Sequence, residues 1–406
     1  MKIGFTGPYA TANFGDWAML VNNIFDFGID NEFVVFTYSY DFPHNVIKHY
    51  FSDNKVSLVT VLADDSEQCA EGLFPLNMLS CVQNKDVLLH VISDLDVLVV
   101  SGGGWIDDCW CNRTSKLIKV FAPILLAAQS GVPVRFMAQG IGPVHVLSDT
   151  LRFCLNYLPE DTVFSVRDEY CSRVYLQKLI QDKYTIQLLP DDLAVINAAI
   201  KSSASDNPLG IDSPYVVLVV NDDLASLSRQ VNSFQEFAQK LAERYNYKTV
   251  LLPFDLVWFG EEQSYFLHNN ILNSYLVDIQ KNRFVSVEDT VSIIEGAQLV
   301  LTGRHHAAVV AMQAHTPFIV KLDKGRQMYA YNKAYGVLNC FMRNICFEDS
   351  LFIRSEWQDI FDCVSDCCDE IIQKQKTVFA SSVFQNNEKE MAKLRTEYIR
   401  SIKNIS

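Results

Sequence analysis

The sequence predicts an α/β protein of two Rossmann-like domains with parallel sheets and an active site in the cleft between them. The chain has 406 residues, which is longer than a domain with a single hydrophobic core usually is. Short apolar segments alternate with helical patterns along most of its length. This alternation is interrupted once, between Ile200 and Pro214, which divides the chain into two similar parts.

The apolar segments of the first part predict strands that are buried on both faces. Several are continuous apolar runs, which are typical of a parallel sheet covered by helices on both sides. The predicted strands are Lys2–Thr6, Phe33–Tyr38, Ser57–Val61, Asp96–Ser101, Val134–Gln139, Val163–Val166 and Ile186–Leu189. We expect them to form an N-terminal Rossmann-like domain over residues 1–200.

After the break the same alternation restarts. Small, polar and helix-breaking residues between Ile200 and Pro214 indicate the linker. The strands predicted beyond it are Tyr215–Val220, Lys248–Pro253, Leu299–Thr302 and Phe318–Leu322. They predict a C-terminal Rossmann-like domain over residues 201–345.

Residues 346–406 have the periodicity of helices and are expected to pack across both domains. Apolar side chains recur every three to four residues in two stretches, namely Ile353, Trp357, Ile360, Phe361 and Val364, then Met391, Leu394, Tyr398 and Ile402. The second stretch has two interpretations, a docking helix or an amphipathic helix that touches a membrane surface. We favour docking, because such stripes are usually core contacts.

The composition is that of a folded protein with an acidic surface. Hydrophobic residues make up 49% and charged residues 20%, and the formal net charge is −14. Such a surface does not attract nucleic acid, so an anionic substrate must be bound by individual Arg and Lys side chains. The N-terminus runs straight into a strand, and no segment reaches the roughly 18 apolar residues that span a bilayer. We expect a cytoplasmic protein, with the inner face of the membrane as an alternative location.

The cysteines predict neither a disulfide framework nor a metal centre. Their number, 11, is odd, and they are scattered through apolar segments. Cys109 and Cys111 form a C-x-C pair without a second half at zinc-site spacing. We therefore expect reduced thiols and no metal.

The first candidate site motif follows the first predicted strand and contains Asn13, Gly15 and Asp16. A helix begins near Gly15, so free backbone N–H groups and the helix dipole can bind an anion or a sugar hydroxyl. The alternative is that Asp16 only caps its own helix.

The second motif runs from Ser101 to Asp108 and contains three consecutive glycines. Gly103 and Gly104 let a ligand approach the backbone without a Cβ in the way. Of the two carboxylates that follow, Asp107 and Asp108, one can act as a general base while the other caps the next helix.

The third motif places Arg167 at the carboxyl end of a strand, followed by Asp168 and Glu169. A guanidinium there can hold a carboxylate or phosphate through two hydrogen bonds. The alternative is an ion pair between Arg167 and one of the two acidic neighbours, without a role in substrate binding.

The fourth motif is Arg304-His305-His306, at the turn between an apolar strand and an alanine-rich helix. Substrates of open α/β sheets bind at such turns, and histidine titrates near neutral pH. Histidines in apolar surroundings are often structural, but a cluster with an arginine favours function.

In order and spacing these four motifs resemble the polysaccharide pyruvyl transferase family over roughly residues 1–335. That family has an early N-x-G-D, a glycine triplet leading to an Asp, a strand ending in R-D-E-x-S, and R-x-H followed by a Pro and a Lys. The corresponding residues here include Asn13, Gly15, Asp16, Asp108, Arg167, Arg304, His306, Pro317 and Lys324. Two positions depart from the pattern, Cys171 in place of Ser and His305 in place of the common Leu.

The resemblance implies a glycosyltransferase-B-like (GT-B-like) fold and the chemistry of pyruvyl transfer. Phosphoenolpyruvate would be the donor and co-substrate, with no further cofactor. The acceptor would be a sugar unit of a surface polysaccharide or its lipid-linked precursor. The product would be a cyclic pyruvate ketal, formed without a metal.

The resemblance also implies roles for the motif residues. The C-terminal domain would bind the donor through Arg304, His305 and Lys324, with Arg167 reaching it from the first domain. The N-terminal domain would hold the acceptor or an anion through a loop formed by Asn13, Gly15, Asp16, Gly103 and Gly104. His306 would be the general acid and Asp108 the general base. Because His305 is a second histidine beside His306, which of the two is the acid stays open.

Two other classes of protein fit the same residues. A GT-B glycosyltransferase with a nucleotide-sugar donor has the same architecture. A sugar-phosphate or nucleotide-binding module without turnover would keep the cleft, but it would not need titratable groups clustered there.

Overall fold

The computed structural model describes residues 1–9, 12–52, 55–63, 75–254, 260–279, 284–322, 328–345 and 351–405. Two β-sheets, one in each half of the chain, carry helices on their faces. All pairings between the named strands of the described residues are parallel. The predicted fold class, two Rossmann-like domains with parallel sheets, is confirmed.

The first sheet has nine strands within the described residues. They are β1 (Lys2–Thr6), β2 (Glu32–Thr37), β3 (Val56–Thr60), β4 (Val97–Val100), β5 (Gly103–Ile106), β6 (Val134–Phe136), β7 (Gln139–Ile141), β8 (Val163–Val166) and β9 (Thr185–Leu188). Their order is β3-β2-β1-β4-β6-β8-β7-β5, and β9 pairs with β8. Strands β1 and β4 are central and buried over nearly their whole length, so β4 is entirely apolar and β1 is buried from Ile3 to Thr6 without alternation.

The helices of the first half cover both faces of this sheet. They are α1 (Phe14–Phe27), α2 (Asp41–Phe51), α3 (Pro75–Leu79), α4 (Lys85–Ile92), α5 (Thr114–Gln129), α6 (Ser148–Asn156), α7 (Ser172–Leu179) and α8 (Ala198–Ser203). Helix α1 is buried on nearly every side because it also packs against the second half. There the Trp17 ring lies 5.0 Å from that of Phe284, and the Phe14 ring lies 4.5 Å from that of Phe254, measured between centroids.

The second sheet has six strands in the described part of the chain, in the order β12-β11-β10-β13-β14-β15. They are β10 (Tyr215–Val219), β11 (Lys248–Leu251), β12 (Ser274–Leu276), β13 (Leu299–Thr302), β14 (Phe318–Lys321) and β15 (Ile353–Arg354). Its helices are α9 (Leu224–Tyr245), α10 (Gly260–Asn270), α11 (Val287–Glu295), α12 (His305–Gln313) and α13 (Met328–Met342).

Two long helices end the chain, α14 (Trp357–Ala380) and α15 (Ser382–Lys403). Helix α14 packs on α9 and β14 of the second half, whereas α15 contacts α13 and reaches α1 of the first half. Met391, Tyr398 and Ile402 of α15 are buried inside the protein, so this apolar stripe is not available to a membrane. Among the described residues, no helix combines the length and the apolar character that crossing a membrane requires.

Candidate active site

A cavity of about 690 Å³ is lined by residues of both halves. From the first half come Asn13, Asp16, Gly104, Trp105, Cys109 and Trp110. From the second half come Asn221, Asp222, Phe254, Gly303, Arg304, His305, His306 and Lys321. Most of these residues follow the carboxyl ends of β1, β4, β10, β13 and β14, which is where open parallel sheets bind their ligands.

His306 packs against the start of α1, so it connects the first and the fourth motif. A Cβ atom added to Gly15 would lie 1.8 Å from His306 Nδ1, closer than any real contact allows. The imidazole therefore occupies the space that a side chain at position 15 would fill. Glycine is required there because the ring of the other half needs this space.

Asp191, at the carboxyl end of β9, connects the third and the fourth motif. Its Oδ2 atom accepts a hydrogen bond of 2.7 Å from Arg167 Nη1. The same oxygen lies 3.5 Å from His305 Nε2 and 3.8 Å from His306 Nε2. One buried carboxylate of the first half thus faces both histidines of the second half.

Burial and charge determine the ionisation of this cluster. Burial disfavours the charged form of Asp191, but the interactions with His305, His306 and Arg167 outweigh it and hold the pKa of Asp191 well below its usual value. Burial, followed by the charge of Arg167, holds the pKa of His305 well below 6.5. Asp191 is therefore ionised and His305 is neutral at pH 7.

Arg167 is fully buried and is not among the cavity-lining residues. Its ion pair is with Asp191, not with Asp168 or Glu169 as the alternative interpretation had it. Asp168 instead accepts hydrogen bonds from the backbone at the start of α7, including the N–H of Cys171. Arg167 Nε and Nη2 have no hydrogen-bond partner within the described residues.

In the described part of the chain, the cationic side chains of Arg304 and Lys321 line the cavity directly. Arg304 is the residue before α12, and its backbone N–H donates to Thr302 Oγ1 at 2.8 Å. Lys321 is at the end of β14 and forms an ion pair with Asp222, whose other oxygen accepts a 2.7 Å hydrogen bond from Trp357 Nε1. Lys324, the predicted phosphate ligand, lies outside the described residues.

The glycine triplet forms a strand rather than an open turn. Gly103 begins β5 with a φ of +147°, a conformation that other residues rarely adopt. Gly104 lines the cavity, and Gly102 donates its N–H to Asp192 Oδ2 at 3.0 Å. The carboxylate of Asp192 in turn accepts a hydrogen bond of 2.7 Å from Arg395 of α15.

Asp108, the predicted base, does not line the cavity. Its Oδ1 atom accepts a 2.7 Å hydrogen bond from the backbone N–H of His145, and its Oδ2 atom lies 2.6 Å from His145 Nδ1. Asp107 accepts from the backbone N–H groups of Cys109 and Trp110 in the turn before α5, whose N-cap residue is Arg113, so Asp107 does not cap that helix. This geometry does not support Asp108 as the base, because both of its oxygens are engaged away from the cavity.

Asp16 is the carboxylate of the first half that faces the cavity. It is 9% exposed, and its Oδ2 atom accepts a 3.1 Å hydrogen bond from Asn13 Nδ2. Asn13, not Asp16, is the residue before α1, so the alternative in which Asp16 caps its helix is wrong. Asn13 and Asp16 thus present an amide and a carboxylate beside His306.

The residues of this site that sequence reasoning missed include Asp191 and Lys321. Both follow the rule that identified the motifs, because each lies at the carboxyl end of a strand. The pair Asp191-Asp192 directly after β9 was the available signal for the first. Lys321 gave no comparable signal, because a single lysine at a strand end is common.

Asp191, His305 and His306 also have the donor atoms of a metal site, all within 4.8 Å of one another. The guanidinium of Arg167 binds the same oxygen of Asp191 at 2.7 Å and opposes a second cation there. Of the C-x-C pair, Cys109 is exposed at the cavity and Cys111 is buried, so the two thiols face different surroundings.

Solved structures of other proteins share this fold. A putative UDP-N-acetylglucosamine 2-epimerase from Listeria monocytogenes has a TM-score of 0.59 at 13% identity, over 98% of this chain and 96% of that chain. The UDP-GlcNAc 2-epimerase from Neisseria meningitidis, bound to UDP-GlcNAc, has a TM-score of 0.57 at 15% identity, over 97% and 99%. HepE from Anabaena, in complex with UDP and glucose, has a TM-score of 0.58 at 13% identity, over 100% of both chains. These likenesses show the GT-B-like fold.

The search of curated proteins found no match. A family model described as Polysaccharide pyruvyl transferase matches residues 17–321, well over half of the chain. The matched stretch contains Arg167, Asp191, Arg304 and His306. The chain belongs to the polysaccharide pyruvyl transferase family.

Proposed function

We propose that this protein transfers the enolpyruvyl group of phosphoenolpyruvate to two hydroxyls of a sugar residue and forms a cyclic ketal for a surface polysaccharide. The observation that carries this proposal is a cavity that His306, Arg304 and Lys321 of the second half line together with Asp16 of the first half. A trianionic donor needs cations, and its methylene carbon needs an acid. A sugar hydroxyl needs a base.

In this proposal, the residues of the cavity supply and accept the protons that the reaction requires. His306, in its charged form, gives its proton to the methylene carbon of the donor, and an oxocarbenium-like centre forms at the neighbouring carbon. One sugar hydroxyl bonds to that carbon and loses its proton to Asp16. A second hydroxyl then bonds to the same carbon as the C–O bond to phosphate breaks, so phosphate leaves with the electron pair and the second proton.

The donor anion is bound by arginine and lysine together in this proposal. Arg304 supplies a planar pair of N–H donors, and Lys321 supplies a point charge, which suit a carboxylate and a phosphate. Arg167 retains N–H groups without a partner among the described residues, next to the histidine pair. Because Arg167 is fully buried and does not line the cavity, we expect it to act on the donor only through Asp191 and the histidines.

Aromatic side chains form the wall for the acceptor. Trp105 and Trp110 line the cavity on the side of the first half, and Phe254 lines it from the second half. The Trp110 ring packs edge-on against Tyr38 at 5.9 Å between centroids, which holds it in place. Flat apolar faces of this kind suit the C–H face of a pyranose ring.

The decisive experiment incubates the protein with phosphoenolpyruvate and a panel of galactosides and mannosides. Phosphate release that requires the sugar, together with a sugar product heavier by one pyruvyl group, is the expected result. The His306→Ala variant is the control for background hydrolysis. Phosphate release without sugar modification, or no release with any acceptor, would contradict the proposal.

A glycosyltransferase that uses a nucleotide sugar is the second candidate. Structures with the same fold include complexes of other proteins with UDP and UDP-GlcNAc. Equilibrium binding of phosphoenolpyruvate and of a panel of nucleotide sugars, including a sialyl donor, distinguishes the two functions. Tight binding of a nucleotide sugar, with consumption of it in the presence of an acceptor, would establish the second candidate instead.

A further inference from the structure

We propose that Asp191 is a positioning residue that stabilises the charged form of the catalytic histidine and orients its ring. The role of His306 as the acid rests on the proposed function. The interaction between Asp191 and His306 does not, because it is present in the protein without substrate.

The geometry gives Asp191 this role. Asp191 is fully buried, and its Oδ2 atom lies 3.8 Å from His306 Nε2. The other ring nitrogen, Nδ1, lies in the space that a Cβ atom of Gly15 would fill. The carboxylate and the bare backbone thus restrict the orientations that the imidazole can take before the donor arrives.

The surrounding charges assign separate tasks to the two histidines. Among the described residues, the charged and titratable groups around His306 include Asp191 and Arg167 from the first half and His305 from its own helix. Asp16, Asp222, Arg304 and Lys321 line the same cavity. His305, His306 and Arg167 together hold the pKa of Asp191 well below its usual value, so Asp191 is ionised. His305 stays neutral, because burial and Arg167 hold its pKa well below 6.5. Asp191 is then the carboxylate that compensates a proton on His306.

Asp191→Asn tests this role because it preserves shape and removes the charge. In the variant, a proton on His306 would face Arg167 without a compensating carboxylate. We expect kcat to fall by at least about 10-fold. The alkaline limb of the pH profile of kcat/KM should move to lower pH by roughly one unit or more, since an opposite charge at this distance favours the protonated form by that amount. Phosphoenolpyruvate titrates identically in every reaction, so the shift is read as a difference between variants.

Asp192→Asn is the matched control. Asp192 is the adjacent residue and is also fully buried, but its carboxylate contacts Arg395 and Gly102 instead of the histidines. A merely structural effect of losing a buried carboxylate would appear in both variants as lower stability. The displaced pH limb is expected in Asp191→Asn alone. Asp191→Glu, which keeps the charge, should restore the limb toward its original position.

A measurement without substrate separates this inference from the proposed function. The ring signals of His306, identified by their loss in His306→Gln, are followed by NMR against pH in the donor-free protein. Their titration midpoint should be lower in Asp191→Asn than in the parent and in Asp192→Asn. An unchanged midpoint overturns the role of Asp191 even if pyruvyl transfer is demonstrated. A lowered midpoint supports it even if the substrate proves different.

Discussion

At the scale of single residues, the glycines of this site provide room for side chains from elsewhere in the chain. A Cβ on Gly15 would lie 1.8 Å from His306 Nδ1, one on Gly102 2.6 Å from Asp192 Oδ2, and one on Gly140 2.3 Å from Arg167 Nη2. These positions exclude side chains for steric reasons, and the backbone at Gly15 is ordinary helix. Each glycine thus marks the place where a charged or titratable group packs.

Gly15→Ala tests this steric requirement. Alanine favours a helix over glycine by about 1 kcal/mol, but here the methyl group would displace the imidazole, and overpacking typically costs about 1–3 kcal/mol. We expect lower stability and nearly complete loss of turnover. Urea unfolding of Gly15→Ala, His306→Ala and the double variant measures the coupling. If alanine at position 15 destabilises equally with and without the His306 ring, the contact is not the cause.

The two adjacent histidines should differ in their contributions to catalysis. His306→Ala should reduce kcat by about 10²- to 10⁴-fold with a smaller effect on donor affinity, because general acid assistance acts in the transition state. His305→Ala should reduce kcat much less, since His305 is neutral. Steady-state kinetics with varied donor concentration measures both. Normal turnover in His306→Ala beside an inactive His305→Ala would reverse the assignment.

The site could be predicted from sequence to the extent that strand ends mark it. Arg304, His305, His306, Asn13 and Asp16 were all found by that rule, and all of them line the cavity. The rule does not give the direction in which a side chain points. Of the adjacent carboxylates proposed as base or cap, Asp108 turns toward His145, and this depends on contacts distant in sequence.

At the scale of secondary structure, several strands of four or more residues were predictable, whereas strands of three residues were not. Val163–Val166 and Leu299–Thr302 have the predicted bounds. The predicted strand Val134–Gln139 is divided instead, because β6 ends at Phe136 and β7 begins at Gln139. Strand β7 lies between β5 and β8 in the sheet, and this position depends on tertiary pairing. Three residues are too few to show a strand periodicity in the sequence.

Helix α15 carries a buried cation into the first half. Arg395 is 2% exposed and lies 2.7 Å from both Asp26 Oδ2 and Asp192 Oδ1. Arg395→Met would leave Asp192 buried without its cation, which should cost about 3–5 kcal/mol. Chemical unfolding measures the loss. Arg400→Met, on the exposed face of the same helix, should stay within about 0.5 kcal/mol of the parent.

A second substitution identifies the cause of that loss. Burial raises the pKa of Asp192, and Arg395 opposes this rise. Asp192→Asn in the Arg395→Met background removes the uncompensated carboxyl and should recover part of the stability. No recovery would mean that packing of the arginine stem, and not its charge, is what α15 contributes.

At the scale of the whole molecule, the two halves share one apolar core and one cluster of charges. The core cluster around Trp17 continues to Phe284 and to residues of α15. The backbone N–H of Phe14 donates to the carbonyl of Phe254 in the other half at 2.9 Å, beside the cavity. Loss of the interface between the halves would therefore expose both the core and the site.

The interface should make the stability of the molecule depend on pH. The folded pKa of His305 is well below 6.5, so below about pH 6.5 the unfolded chain binds a proton that the folded chain does not. The free energy of unfolding should fall as pH falls through this range. Asp191 does not contribute to this pH dependence, because its pKa lies below this pH range.

His305→Leu removes this titration and should lose less stability between pH 7.5 and pH 5.5 than the parent. Urea unfolding at the two pH values measures the difference. The exposed His90, replaced by Gln, is the control. An equal loss in the parent and in His305→Leu would show that His305 does not determine the acid sensitivity.

The contact between Asp192 and Arg395 also determines the order in which parts of the protein can fold during its synthesis. The two residues are 203 positions apart, so at about 5–20 residues per second roughly 10 to 40 s pass between their translation. During that interval the carboxylates of Asp26 and Asp192 lack the guanidinium of Arg395 that pairs with them in the folded protein. The nascent first half therefore cannot finish its own interior while it emerges from the ribosome. Its last step of folding waits for a helix that is translated after both sheets.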